Sequence, residues 1–286
     1  MVVASILVLS AVGFTLQWGV SNVINWAYVD FMTLVAFLDY TFTHYLHWNF
    51  WPAAILSVLL IGVLSLAMNQ LLVQPFLKRG IKFFNMLIVT FGLGTIVQYL
   101  IEVIWGPTFF SITVGGQQPI HVVGVKLTVA QLIIIGVAAA SMVGFHLLLT
   151  RTDLGKAMRA VSVDPSLAQV SGIRTNAVLN MAWFLSGVLC GMAGLVLAFN
   201  TASFDSTTGT VYILQILAVV VLGGIGSPYG AMGAALIIGL VGEWAALLIN
   251  PYFNVVVSLL ALIVVLLWRP QGLFRSLTSG SGGGTA

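Results

Sequence analysis

Apolar runs of about 20 residues recur along almost the whole chain, and only short polar stretches separate them. Of the 286 residues, 60% are hydrophobic and 6% are charged, and the mean hydropathy is +1.10. Average soluble domains carry about 25% charged residues, so this sequence cannot form a water-soluble surface. A helix needs about 20 apolar residues to cross the hydrocarbon core of a bilayer. The runs are continuous rather than alternating, which favours helices over a β-barrel.

The pattern predicts an all-α fold, a polytopic transmembrane helical bundle with about 8–9 membrane segments, one of them broken by glycines. We expect a single transmembrane domain over 1–275 and a disordered Gly/Ser-rich tail over 276–286. The first apolar segment covers about 2–20, and the second ends near residue 43. The remaining predicted segments are about 53–73, 84–105, 127–149, 177–199, 211–222, 231–249 and 252–268.

Basic residues predict the orientation, because cytoplasmic loops are enriched in Lys and Arg. The short loop with Lys78, Arg79 and Lys82 and the longer interval 151–174 are separated by two segments, so they share a side. This side is predicted to be cytoplasmic, in a bacterial or archaeal plasma (inner) membrane, and Lys126 is the exception to the pattern. The net charge of +3 then reflects a membrane face, and no nucleic-acid partner is expected. The N-terminus lies outside if both early segments cross, and inside if one is re-entrant.

The interval 151–174 is the longest polar stretch in the chain. Asp164-Pro165 is typical of a helix start, with Asp as the N-cap and Pro at the first helical position. Gly172 is a natural helix terminator. The interval therefore predicts two short helices that lie along the cytoplasmic face, although a plain solvated connection between spans would show similar charge. Its charged residues are Arg151, Asp153, Lys156, Arg159, Asp164 and Arg174.

A cluster of glycines with a proline follows the segment that ends near residue 222. One continuous helix through Pro228 is unfavourable, since proline lacks the N–H and clashes with the preceding turn. The break either lines a cavity at membrane depth or forms a tight turn at the surface. Gly187 and Gly191, at GxxxG spacing, predict close helix packing within the subunit. The residues of the break are Gly223, Gly224, Gly226, Ser227, Pro228 and Gly230.

Polar side chains inside apolar segments usually face a bundle interior or a cavity, because burying them in lipid is costly. Asp30 and Glu102 fall near predicted membrane surfaces, where an interfacial role explains them, whereas Glu243 interrupts an apolar run. The polar residues considered for a substrate pathway on this ground are Asn22, Asn25, Thr90, Gln98 and Glu243.

Signatures of catalysis and of metal binding are absent from the sequence. The four histidines are scattered without HExxH or Cys/His spacing, the chain has one cysteine, Cys190, and no serine lies in a GxSxG pattern. No GxxxxGK[ST] phosphate loop occurs either. We therefore expect no catalytic residues, no metal site and no cofactor bound by this chain, and hence a protein that is not an enzyme.

Several stretches together resemble one known family. They are AVGFTLQWGVSNVINWAYVDFMTLVAF (11–37), LIVTFGLGTIVQ (87–98), TDLGKAMRAVSVDPSLAQVSGI (152–173), VLGGIGSPYGAMGAALIIGLVGE (221–243) and LWRPQGLF (267–274). In order and spacing they look like the permease subunit of branched-chain amino acid ABC importers of the LivH type. The resemblance covers nearly the whole chain.

The resemblance implies an importer with a second homologous permease chain, two cytoplasmic ABC ATPases that bind ATP and Mg, and an extracytoplasmic substrate-binding protein. In the family, the loop pattern LGxAxRAxxxDxxxAxxxGI docks on the ATPase. Here it implies that the interval 151–174 is a cytoplasmic coupling loop. The residues implied for ATPase coupling are Gly155, Arg159, Ala160, Asp164, Ala168 and Gly172.

The family pattern GVxxVINFAHGEF is present from Gly19 to Phe31, but Tyr28-Val29 replaces its His-Gly pair. A zwitterionic amino acid needs few polar partners and an apolar wall, and Asn25, Tyr28 and the glycine-rich break over 223–230 are the candidates to supply them. Members of the family also carry urea, short amides and other amino acids, so the substrate stays open. A self-sufficient secondary transporter, with Glu243 as its proton site, is the alternative from another class.

Overall fold

The fold is an almost entirely helical bundle, seen here in a computed structural model that describes residues 2–80, 83–111, 119–122, 125–201, 203–248 and 253–268. Six helices among these residues are long and apolar enough to cross a membrane, and shorter apolar helices accompany them. This confirms the predicted polytopic bundle. The helices are α1 Val2–Ser21, α2 Tyr28–Tyr40, α3 Phe50–Met68, α4 Gln74–Lys78, α5 Phe83–Trp105, α6 Val129–Arg151, α7 Asp153–Val163, α8 Pro165–Val170, α9 Thr175–Thr201, α10 Ile213–Gly223, α11 Pro228–Leu248 and α12 Phe253–Trp268.

Two π-helical turns and a small sheet complete the described elements. The π-helical turns, Thr41–Tyr45 and Asn69–Val73, continue α2 and join α3 to α4. Strands β1 (Pro119–Val122) and β2 (Val125–Thr128) pair antiparallel between α5 and α6. The sequence predicted only a loop there, because four-residue strands carry too little alternation to be recognised.

Helix α2 begins about halfway along α1 rather than at its end. The Tyr28 hydroxyl donates a hydrogen bond to the Ser10 carbonyl oxygen (3.0 Å), although α1 continues to Ser21. The segment 22–27 therefore folds back alongside α1 without helical structure, and we call it the re-entrant segment. Such backbone is tolerated at membrane depth only where the protein supplies its hydrogen-bond partners.

The C-terminal half repeats this arrangement in the opposite direction. After α9 ends, the chain folds back so that the Gly209 N–H donates to the Thr33 hydroxyl oxygen (2.9 Å). A 3₁₀ turn, Thr210–Tyr212, then leads into α10. Helix α9 is antiparallel to α1, since Gln17 contacts Ser186 and Gly13 lies against both Ser186 and Leu189. The beginnings of α2 and α10 consequently meet inside the bundle.

Helix α9 lies at the centre and packs on α1, α2 and α3. Gly187 and Gly191 face α3, where a Cβ at Gly187 would overlap Ile61, Gly62 and Ser65. The predicted packing role of this small-residue pair is confirmed. The Ser65 hydroxyl adds a hydrogen bond to the Trp183 carbonyl oxygen across the same contact (2.8 Å).

The positions of the basic residues fix the orientation of the bundle. Arg79, Arg151, Lys156 and Arg174 all lie at the same end, where α4 and α6 finish and α7 and α9 begin. By the positive-inside rule this end is cytoplasmic. Helix α1 runs toward it, because Gly19 near its C-terminal end lies against Gly226 there, so the N-terminus of α1 is on the outer side. Lys82, Arg269, Arg275 and the tail 276–286 lie outside the described residues.

Candidate functional site

The cytoplasmic loop consists of two short helices, α7 and α8, as the sequence predicted. The Asp164 carboxylate accepts hydrogen bonds from the backbone N–H groups of Ser166 (2.8 Å) and Leu167 (3.0 Å), so it caps α8. Gly172 has a φ of +86°, and the Ile173 N–H donates to the Ala168 carbonyl oxygen (3.0 Å). This closing bond is typical of a glycine C-cap. Both local predictions, the Asp cap and the Gly terminator, are confirmed.

Helix α7 is held tightly against the end of α6. A Cβ at Gly155 would overlap the carbonyl oxygens of Leu148 and Leu149. On the same side of α7, Met158 and Val161 are buried, and α7 also packs on α1 and α9. A displacement of α7 must therefore push or pull on three membrane helices, α1, α6 and α9, at once.

The remaining surface of the loop exposes apolar side chains, and one of them, Val163, also borders the cavity described below. Val163, Leu167 and Val170 are 86%, 64% and 87% exposed. Single exposed apolar residues are common on protein surfaces, but a cluster of them marks an interaction site. We call these three residues the apolar patch.

A cavity of about 700 Å³ lies between the loop and the membrane helices. Its walls come from the cytoplasmic half of α1, the end of α6, one side of α7 and the turn between α10 and α11. We call it the cytoplasmic cavity. Arg159 on α7 and Ser227 in the turn both line it, so it joins the two parts of the sequence that the analysis singled out.

The re-entrant segment is fixed by side chains from two neighbouring helices. The Thr90 hydroxyl of α5 accepts from the Trp26 N–H (3.2 Å) and lies 3.1 Å from the Ile24 carbonyl oxygen, to which it can donate. The Asn25 amide donates to the Gln17 side-chain oxygen (3.5 Å), which also accepts from the Ser186 hydroxyl (3.2 Å). The two Thr90 contacts supply hydrogen bonds that irregular backbone lacks at this depth, and the contacts of Gln17 tie the Asn25 side chain to α1 and α9.

Where the beginnings of α2 and α10 meet, a carboxylate is buried. Asp30, in the first turn of α2, accepts from the Thr210 hydroxyl (3.5 Å). Gly94 of α5 leaves room for this carboxylate, because a Cβ there would overlap it. The partial positive charge at helix N-termini stabilises a nearby anion, and here α2 and the 3₁₀ turn both begin beside Asp30.

A family model described as the permease component of a branched-chain amino acid transport system matches residues 1–266. The chain belongs to this permease family. It is 25% identical to the permease BraD of Pseudomonas aeruginosa over 95% of this chain and 92% of that one. It is 29% identical to the probable permease LivH of Methanocaldococcus jannaschii over 94% and 89% of the two chains. Both relatives are described as branched-chain amino acid transport permeases.

A solved structure shares the fold of this permease. It is described as PsaBC from Streptococcus pneumoniae in complex with Fab, and it aligns with a TM-score of 0.53 over 97% of this chain and 94% of that chain. The sequence identity is 14%, so the similarity concerns the fold alone. Together with the apolar helices, the family assignment makes this chain a multi-pass inner-membrane transport protein rather than an enzyme.

The candidate pathway residues of the permease fall in three places. Asn25, Tyr28 and Thr90 are brought together around the re-entrant segment, and Gln98 lies one turn beyond Gly94 on α5. The remaining candidate pathway residues lie away from this group. Asn22 is at the cytoplasmic end of α1, Glu243 is near the outer end of α11, and Gly223, Gly224, Gly226 and Ser227 form the cytoplasmic turn between α10 and α11.

Several of these residues have identifiable structural partners. The Glu243 carboxylate accepts a hydrogen bond from the Val3 N–H (3.1 Å), an interaction suited to the N-terminus of α1. Asn22 has a φ of +54°, and its side chain accepts from the Trp18 indole N–H (3.3 Å). The glycine-rich break is a cytoplasmic turn that also lines a cavity, so both interpretations of it hold in part.

Sequence reasoning missed Gln17, Ser186 and Asp39. Gln17 could have been noticed as a lone amide within an apolar run, but its partner Ser186 lies 169 residues away. Asp39 is fully buried, and neither carboxylate oxygen has a hydrogen-bond partner among the residues that the structure describes. Within those residues, no group of three His, Cys, Asp or Glu side chains could hold a metal ion.

Proposed function

We propose that this chain is the permease subunit of an ABC importer that translocates branched-chain or related amino acids. An extracytoplasmic binding protein delivers the substrate, a second homologous permease completes the pathway, and two cytoplasmic ATPases supply the energy. The relatives' names support this substrate class. The chain contains no phosphate-binding loop of its own, which agrees with ATP and Mg binding to the partner ATPases.

The observation that carries this proposal is the two-sided structure of the loop α7–α8. One side is packed on α1, α6 and α9, and the other exposes the apolar patch. An ATPase that binds the patch therefore acts directly on three membrane helices. Covering the patch with a partner removes three exposed apolar side chains from water, which favours association.

In the proposed cycle, ATP closes the ATPases and α7 moves with them. Gly155 leaves no gap between α7 and the end of α6, so the movement is transmitted rather than absorbed. The re-entrant segment and the beginnings of α2 and α10 lie between the helices that move. Asn25 and Tyr28 border this region, and they are proposed to face the substrate pathway as the helices separate.

The experiment that tests the proposal is reconstitution in proteoliposomes with and without the ATPases. Uptake of radiolabelled L-leucine should require the binding protein, the ATPases and MgATP together. Uptake that an ion gradient drives without any ATPase would contradict the proposal and favour a secondary transporter. Against that alternative, the residue suggested as its proton site, Glu243, binds the backbone of α1.

Competition binding to the cognate extracytoplasmic protein tests the substrate class separately. Leucine, isoleucine and valine are expected to displace one another from it, whereas urea and short amides are not. Displacement by urea or acetamide at similar concentrations would indicate that the importer carries small polar solutes rather than branched-chain amino acids. The result bears on the substrate only, because the binding protein is tested without the permease.

A further inference from the structure

The cytoplasmic cavity combines an apolar wall with a few convergent polar groups. Apolar side chains from each wall line it, among them Leu16, Val20, Leu149, Met158, Ile225 and Pro228. Its volume of about 700 Å³ lies within the range of about 300–1,000 Å³ that is typical of small-molecule sites. A ligand with a short aliphatic portion fits this lining.

The polar groups of the cavity favour an anion. Arg159 is the one side chain charged at neutral pH among the described lining residues, and no acidic side chain lines the cavity. The guanidinium forms no ion pair with any residue in the described ranges. An arginine with free donors binds carboxylates strongly, because two of its N–H groups can donate to the two carboxylate oxygens at once.

A hydroxyl group adds a hydrogen-bond donor on the wall opposite α7. The Ser227 oxygen accepts from the Gly230 N–H (3.2 Å), which leaves its own hydrogen free to donate. Ser227 lies in the turn between α10 and α11 and lines the cavity together with Arg159.

We infer that the cytoplasmic cavity is a binding site for a small aliphatic carboxylate. Its carboxylate contacts Arg159 and Ser227, and its hydrocarbon portion lies on the apolar wall. The consequence for transport rests on the function proposed above. An imported amino acid that accumulates in the cytoplasm binds here, holds α7 against α1 and the turn between α10 and α11, and slows the cycle.

Calorimetry on the full chain tests the site directly. The permease is placed in phosphatidylcholine nanodiscs without nucleotide, ATPase or binding protein, and is titrated with 4-methylpentanoate, L-leucine or 4-methylpentylamine. The two carboxylates should bind and the amine should not, because the amine replaces the anionic group with a cation of similar size. Binding of the amine with equal affinity would overturn the inference.

Two substitutions and one control locate the binding. Arg159→Gln should weaken carboxylate binding by about tenfold or more, and Ser227→Ala by about fivefold, since each removes one donor. Arg159→Gln should fold normally, because the guanidinium it removes has no ion pair to lose among the described residues. Arg174→Gln, which removes a cytoplasmic cation that does not line this cavity, should bind as the unaltered chain does.

Other occupants give different results. Carboxylate binding that persists unchanged in both Arg159→Gln and Ser227→Ala would overturn the inference. Loss of binding in nanodiscs that contain phosphatidylglycerol would identify a lipid headgroup as the occupant and would also overturn it. Since the assay contains no ATPase, its failure leaves the proposed import function intact, and failed ATP-driven uptake would leave this binding result intact.

Discussion

At the scale of single residues, polar side chains in this permease mostly complete the backbone of their neighbours. Thr90 binds the re-entrant segment, Glu243 binds the beginning of α1, and Asp164 binds the beginning of α8. The sequence predicted Asp164, because its partners follow within three residues. It could not predict the partner of Thr90, which lies 64 residues away. A polar residue within an apolar run could therefore be recognised from the sequence as important, but its role could not.

The role of Thr90 leads to a first prediction. Thr90→Val leaves the Trp26 N–H and the Ile24 carbonyl without their side-chain partner at membrane depth. We expect a loss of about 1–2 kcal/mol in the free energy of unfolding, measured as a lower unfolding temperature in detergent. Thr95→Val is the matched control, since its hydroxyl only donates to the Phe91 carbonyl oxygen one turn earlier. Equal effects of the two substitutions would contradict the role assigned to Thr90.

A second prediction concerns Gly155. Gly155→Ala places a methyl group against the carbonyl oxygens of Leu148 and Leu149, and such overpacking costs about 1–3 kcal/mol. Helix α7 should shift away from α6, and ATP-driven uptake should fall by about tenfold while the chain still inserts. Gly144→Ala on α6 meets no neighbouring atom within 4 Å and should transport normally. Normal transport by Gly155→Ala would show that tight seating of α7 is not required.

At the scale of elements, some helix bounds are determined by nearby residues and others by contacts with distant parts of the chain. The second loop helix, predicted to begin at Asp164-Pro165 and to end before Gly172, agrees closely with α8, because caps and terminators act within a few residues. The predicted second span was less accurate. Its chain runs through a non-helical segment before α2 begins, and contacts with other parts of the bundle, such as those with Ser10, Thr90 and Gly209, determine that geometry. The coupling residues themselves, from Gly155 to Gly172, stay predictions.

The apolar patch gives the prediction at this scale. Val170→Asp replaces an exposed apolar side chain of α8 with a charge, and should weaken binding of the ATPase by about tenfold or more. Surface plasmon resonance on the detergent-solubilised permease measures the affinity. Gln169→Asp adds the same charge at the neighbouring exposed position and should have little effect. If the two variants weaken binding equally, charge rather than apolar contact decides the interaction.

At the scale of the whole molecule, the orientation of the bundle was predictable and its internal arrangement was not. Hydropathy and basic residues identified nearly all the spans and their cytoplasmic ends, since both signals extend over many residues. They left the side of the N-terminus open. Two features of the structure determine the side on which the N-terminus lies: α1 is antiparallel to α9, and α2 and α10 begin inside the bundle. Neither feature can be recognised in the local sequence.

The orientation predicts which positions are accessible from outside. In intact cells, Leu46→Cys, on the outer connection after α2, should react with a membrane-impermeant maleimide. Lys156→Cys on α7 should react only after the membrane is opened. Cys190 is buried, so the unsubstituted chain provides the unlabelled control. Labelling of Lys156→Cys in intact cells would invert the topology described here.

The meeting of α2 with the chain before α10 also constrains how the protein is made. Thr33 and its partner Gly209 are 176 residues apart. At about 5–20 residues per second, roughly 10–35 s separate their synthesis. During this interval α2 and the re-entrant segment are in the membrane without their contacts to α9 and to the chain before α10. Biogenesis of this permease therefore depends on the insertion machinery holding an incomplete N-terminal half until α9 and α10 arrive.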